Sequence, residues 1–134
     1  MNQVNNDPAL RAPSWIASEE DSHRLAASRQ RETGLCVFPP LPARSPAAPR
    51  YEAAVLSMEA ELYSFTVIHP NPKTGQKPFA LVYADFPEGA RVFGRLKLAE
   101  GERPVIGARL VVVIEASPDA KSRYVFVPAR EALK

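Results

Sequence analysis

The chain has 134 residues, 46% hydrophobic and 24% charged, with a formal net charge of +2; this fits one domain with an extension and an ordinary core. Residues 1–50 carry six arginines against five acids and residues 51–134 eleven lysines and arginines against ten acids, which argues against a protein whose main task is gripping phosphate backbones. The single cysteine, Cys36, excludes an intramolecular disulfide framework and a Cys-rich zinc site; with no secretory signal pattern and no apolar run of membrane-spanning length, a soluble cytoplasmic protein is expected.

Residues 1–13 are polar and proline-punctuated and are read as a flexible arm. Ser14–Ser28 (SWIASEEDSHRLAAS) is predicted as a helix. Ser14 can cap it, Glu19, Glu20 and Asp21 lie towards its front half, and Arg24 and Arg29 lie near its end, which suits the helix dipole. Its only large apolar residues are Trp15, Ile16 and Leu25. That stripe is too thin for a free-standing helix, so docking on the barrel or on another subunit is expected. Gln30–Arg50 holds five of the fourteen prolines. Proline removes donors and fixes φ, so the segment is read as irregular and semi-extended. Tyr51–Leu56 is a short lead-in strand or a turn of helix.

The best-patterned stretch is Ala60–His69, where Leu62, Ser64, Thr66 and Ile68 alternate with Tyr63, Phe65, Val67 and His69. Period-two alternation rich in β-branched and aromatic residues marks a strand. Four more strands are predicted: Phe79–Asp85, Ala90–Leu98, Arg109–Ala116 and Arg123–Val127. The loop Pro70–Pro78 is exposed and turn-rich, and Ser117–Ser122 is a hairpin turn. Gly94, inside the third strand, predicts a bulge or sharp bend. Five strands with such a bend fit a small, partly open Greek-key barrel of the OB type. A five-stranded SH3-like barrel would show similar spacing, and pattern alone does not separate the two.

No self-sufficient catalytic set is visible. Cys36 has no histidine beside it in sequence. His69 ends the main strand beside the loop and is a capping or surface residue, or a contact to a ligand or interface. Asp85 and Glu88 flank a turn and need no catalytic explanation.

Several motifs together resemble one family. They are FPP at Phe38–Pro40, LYSFTVIH at Leu62–His69, FALVYADFPEGARVFGRL at Phe79–Leu96, VIGARLVVVIE at Val105–Glu115 and YVFVP at Tyr124–Pro128. The family is that of the zinc-ribbon/OB-fold proteins associated with acyl-CoA metabolism, and the resemblance spans roughly residues 15–128. It implies an N-terminal helix, a zinc ribbon whose two C-x-x-C pairs straddle FPP, and then the barrel. Here the first pair falls at about Gln30 and Thr33 and the second near Arg44 and Ala47. None of these is a thiolate or imidazole donor, and Cys36 lies between the pairs. The expectation is therefore a mainly β chain: a five-stranded OB-fold barrel (residues 51–130) preceded by a helix and a proline-rich degenerate ribbon without metal (residues 14–50).

The resemblance also implies a role. Family members look like non-catalytic accessory subunits that bind a thiolase-fold enzyme, or a thiolase-like aldolase or acyltransferase, sometimes with a hotdog-fold hydratase, and support acyl-CoA handling in lipid metabolism. Carried here, the candidates for contacting the phosphates of coenzyme A are Lys73, Lys77, Arg91, Arg95 and Arg123; Arg91 and Arg95 share a strand face. Candidates for partner docking are Trp15, Ile16, Phe38, Pro39 and Pro40, with the exposed strand edges. No cofactor is expected; acyl-CoA is a possible bound ligand. The alternative is a single-stranded nucleic-acid-binding OB-fold protein, which needs outward aromatics in a basic groove.

Overall fold

Alternation in the second half of the chain becomes the inside and outside of a barrel. The computed structural model describes residues 15–17, 23–99, 101–117 and 120–129. Its strands are β1 (Ala26–Gln30), β2 (Cys36–Val37), β3 (Tyr51–Val55), β4 (Glu59–Ile68), β5 (Phe79–Asp85), β6 (Arg91–Leu96), β7 (Arg109–Ser117) and β8 (Ala120–Pro128). The last five close into a barrel in the order β4-β5-β6-β8-β7. Neighbours are antiparallel except β6 and β8, which meet in parallel at Leu96 and Phe126. This order, with its one parallel contact, is the OB arrangement. Ala60, Leu62, Val82, Ala84, Val92, Leu110, Val112 and Phe126 fill the interior.

One expectation within the barrel is corrected. The β5–β6 ladder runs unbroken through Val82 and Gly94, so Gly94 makes no bulge. A glycine is needed there because an added Cβ would sit 2.7 Å from Cε2 of Phe126 and 3.1 Å from Cε1 of Tyr124. The bulge lies in β4 instead, between Leu62 and Ser64, and leaves Tyr63 out of the ladder.

The helix predicted for Ser14–Ser28 does not form among the described residues. Ile16 bridges Leu25 in antiparallel fashion, Ala26 N–H donates to the Trp15 carbonyl, and Ala17 N–H donates to that of Arg24. The chain then enters β1. The intrinsic preference of this Ala-, Ser- and Glu-rich stretch is overridden by pairing with β3, in a register that runs from Gln30–Tyr51 to Ala26–Val55. The arm at 1–13, the tip of the β7–β8 hairpin at 118–119 and the tail after 129 lie outside the described residues.

The proline-rich stretch is not wholly irregular either. β2, β1 and β3 form a three-stranded antiparallel sheet in that order, so the residues at 51–55 belong to the ribbon-like sheet and the barrel strands begin at Glu59. Prolines 39–49 form the excursion between β2 and β3. It folds back on the sheet: Leu41 N–H donates to Oγ of buried Ser28 at 2.8 Å.

Sheet and barrel share one core. Leu25, Ala27, Cys36, Ala54 and Leu56 pack in the same buried cluster as the barrel interior. Among the described residues, no helix is long and apolar enough to cross a membrane.

Candidate functional site

The tight turn between β5 and β6 joins the two parts. Its Glu88 carboxylate accepts from the Ser57 backbone N–H at 3.1 Å and from the Ser57 hydroxyl at 2.5 Å. The Glu88 carbonyl accepts from Cys36 N–H at 3.0 Å. Gly89, at φ 99°, lies against Leu35, and a side chain there would be both strained and in collision. Burial of the Glu88 carboxyl opposes its ionisation, but the hydrogen bonds from Ser57 outweigh that and hold its pKa below 4.5. The Glu-Gly pair of the hairpin motif is therefore a clamp holding the ribbon-like sheet on the barrel. The sequence marks the motif; its partner Ser57, 31 residues upstream, is not visible there.

A second joint is aromatic. Tyr124 meets Trp15 and Phe38 edge-on, at ring-centroid distances of 5.2 and 5.6 Å. Its hydroxyl donates to the Phe93 carbonyl at 2.7 Å, and burial raises its pKa. Trp15 and Phe38, proposed for partner docking, are thus half-buried against the barrel. Ile16 is also half-buried, Pro40 likewise, and Pro39 is exposed.

The first position expected for a metal-ligand pair is closed by its own side chains. The Thr33 hydroxyl donates to Gln30 Oε1 at 2.7 Å, Leu35 N–H donates to Thr33 Oγ1, and Gly34 N–H donates to the Gln30 carbonyl. Near the second position, Ala47 N–H donates to Ser45 Oγ. These groups do not fit zinc, which takes thiolate, imidazole or carboxylate donors. Among the described residues no group of three or more His, Cys, Asp or Glu is placed to hold a metal ion.

The cations proposed for phosphate contact are not gathered into one site; of the five, Arg91 and Arg95 share a strand face. Lys73 and Lys77 are exposed in the β4–β5 loop, and His69 is exposed at the loop's start. Arg123 donates to Glu115 at 2.8 Å, and Lys97 also binds Glu115; these bonds, that of Lys97 first, lower the Glu115 pKa. Arg91 donates from Nε and an Nη to the two oxygens of Asp85 at 2.7 and 3.0 Å, which raises its pKa further. An open depression of about 470 Å³ is lined by Glu59, Glu61, Asp85, Phe86 and Arg109. Its three carboxylates have the wrong sign for phosphate.

Another surface stands out. On the outer face of β4, β5 and β6, Tyr63 is 51% exposed, Tyr83 44% and Phe93 49%. Tyr83 and Phe93 are cross-strand partners with centroids 5.1 Å apart. The Arg91 guanidinium lies 3.5 Å from the Tyr63 ring centre, and that of Arg95 lies 4.1 Å from the Phe79 ring centre. Arg91 and Arg95 do share a face, as their spacing predicts, and that face is aromatic.

Residues 53–115 match the model of a family described as "ChsH2, C-terminal OB-fold domain". A solved structure described as "Ltp2-ChsH2(DUF35) aldolase" aligns over 96% of this chain and 99% of that one, with a TM-score of 0.63 and 21% sequence identity. No curated protein sequence matches the chain significantly.

Proposed function

We propose that this chain, whose residues 53–115 match the ChsH2 C-terminal OB-fold domain family, is a non-catalytic partner of a thiolase-type enzyme. The family match carries the reading. The name of the solved relative points the same way, since it couples ChsH2 with Ltp2 in an aldolase.

The geometry supports an accessory role. Cys36 is buried in the sheet core and cannot reach a substrate. His69 is exposed, and no hydrogen bond or ion pair places a second catalytic group beside it among the described residues. The cations suited to phosphate are dispersed or already paired, so a coenzyme A site would need cations from the partner enzyme as well. On this reading acyl-CoA, and a hotdog-fold hydratase if one is present, belong to the assembled complex in the cytoplasm. The chain contributes shape and contact surface, without zinc.

The test is affinity isolation of the tagged full chain from native cells, with identification of what accompanies it by mass spectrometry. A thiolase-fold enzyme in stoichiometric amount is the expected companion, and its solubility should rise on co-expression. Isolation of the chain alone, or with nucleic acid, would refute the proposal.

A further inference from the structure

We propose that the outer face of β4–β6 is where the thiolase-fold subunit docks, and that its counterpart is an apolar surface presenting one carboxylate to Arg95. The inference rests on the accessory role proposed above and names its interface.

The composition is that of an interface centre. Exposed Tyr63, Tyr83 and Phe93 lie beside Arg91 and Arg95. Protein interfaces are enriched in aromatic residues and arginine and depleted in lysine at their centres, where hot spots cluster. The rings are also fixed. Tyr83 packs on Phe93, and the β4 bulge leaves Tyr63 under the Arg91 guanidinium. Little side-chain freedom remains to be lost on docking.

The charges decide the kind of partner. Covering an unpaired charge is costly, whereas a complete pair can be covered more readily. Both Asp85 oxygens already engage Arg91, so that pair needs nothing from a partner. Arg95 differs: it lies over Phe79 and forms no ion pair among the described residues. One carboxylate opposite Arg95 completes the aromatic centre of the face; exposed Glu61, beside Asp85 at its edge, stays in water. A polyanion would instead need several open cations beside the rings, and among the described residues this face offers Arg95 alone. Among the described residues the β7–β8 side exposes no large hydrophobic side chain, and its Glu115 holds both Lys97 and Arg123.

The test uses the full chain and the purified thiolase-fold enzyme that accompanies it. Affinity is measured by calorimetry for the native chain and for Tyr83→Ala, Phe93→Ala, Arg95→Ala and Arg95→Glu. Circular dichroism and melting temperature confirm that each variant is folded. Each aromatic truncation is expected to weaken binding by about tenfold or more. Arg95→Glu should weaken it more than Arg95→Ala, and Gln76→Ala, in the adjacent exposed loop, should leave it unchanged. If the native chain binds the enzyme and all four folded face variants bind equally well, the interface assignment falls while the accessory role stands. If the native chain binds no thiolase-fold enzyme, both fall. A labelled single-stranded oligonucleotide provides the remaining arm. Salt-dependent binding that the same variants abolish, with enzyme binding intact, would overturn the assignment in favour of nucleic acid.

Discussion

Replacing Gly94 by alanine tests how the barrel and the ribbon-like sheet are packed together. The new Cβ would lie 2.7 Å from Cε2 and 3.1 Å from Cδ2 of Phe126, and 3.1 Å from Cε1 of Tyr124. Carbon atoms pack best at about 3.5–4.0 Å, so the rings must move by several tenths of an ångström or more. Phe126 has no exposed surface and nowhere to go. Tyr124 is held by its bond to the Phe93 carbonyl and by Trp15 and Phe38. Overpacking of this kind costs about 1–3 kcal/mol. Loss of glycine's freedom in the unfolded chain returns about 0.4–1 kcal/mol. The expected net loss is about 1–2 kcal/mol, read as a lower urea midpoint at unchanged slope. The double variant with Phe126→Leu discriminates further. If the ring is what excludes the methyl group, the two substitutions together should cost less than their sum by on the order of 1 kcal/mol. A neutral or stabilising Gly94→Ala, or strict additivity with Phe126→Leu, would refute the packing argument.

Glu88 should make the joint between sheet and barrel acid-sensitive. Its folded pKa lies below the ordinary 4.5, so its contribution is complete above about that pH and is lost as pH falls through the lower, folded value; Glu88→Gln should flatten this limb in pH-resolved melting. Truncation of Glu88 to alanine removes both bonds from Ser57 and should cost about 1–3 kcal/mol in urea unfolding. Tyr124→Phe removes the bond to the Phe93 carbonyl and should cost about 0.5–1.5 kcal/mol. Trp15, the one tryptophan, reports the state of this joint by its emission. Metal analysis should find no stoichiometric zinc, and a chelator should leave the melting temperature unchanged; bound zinc or a chelator-induced drop would show that the ribbon argument is wrong.

The barrel was legible because its signal is local. β5 coincides with the predicted Phe79–Asp85, and β4 with Ala60–His69 to within one residue at each end. In β5 and β6 the alternation records which face is buried, and that pattern survives without knowledge of its neighbours. The ribbon-like sheet was not legible, because Ala26–Gln30 becomes a strand only through partners at 36–37 and 51–55. Capping residues and charge order at 14–28 describe a helix equally well. Gly94 was rightly singled out, but a sequence cannot distinguish a glycine required by its own backbone from one required by a ring on another strand. The same holds for Glu88, whose turn is visible and whose clamp on Ser57 is not. For the candidate site, the shared face of Arg91 and Arg95 follows from two-residue alternation. What neutralises Arg91 depends on Asp85 across the hairpin, and which aromatics stand outward depends on barrel closure and on the bulge at Tyr63.

The most direct measurement for the central claim is native mass spectrometry of the tagged chain isolated from its own cells at low salt. The account predicts a defined complex containing a thiolase-fold enzyme in integer ratio with this chain. A free chain, or one carrying nucleic acid and no such enzyme, would contradict it.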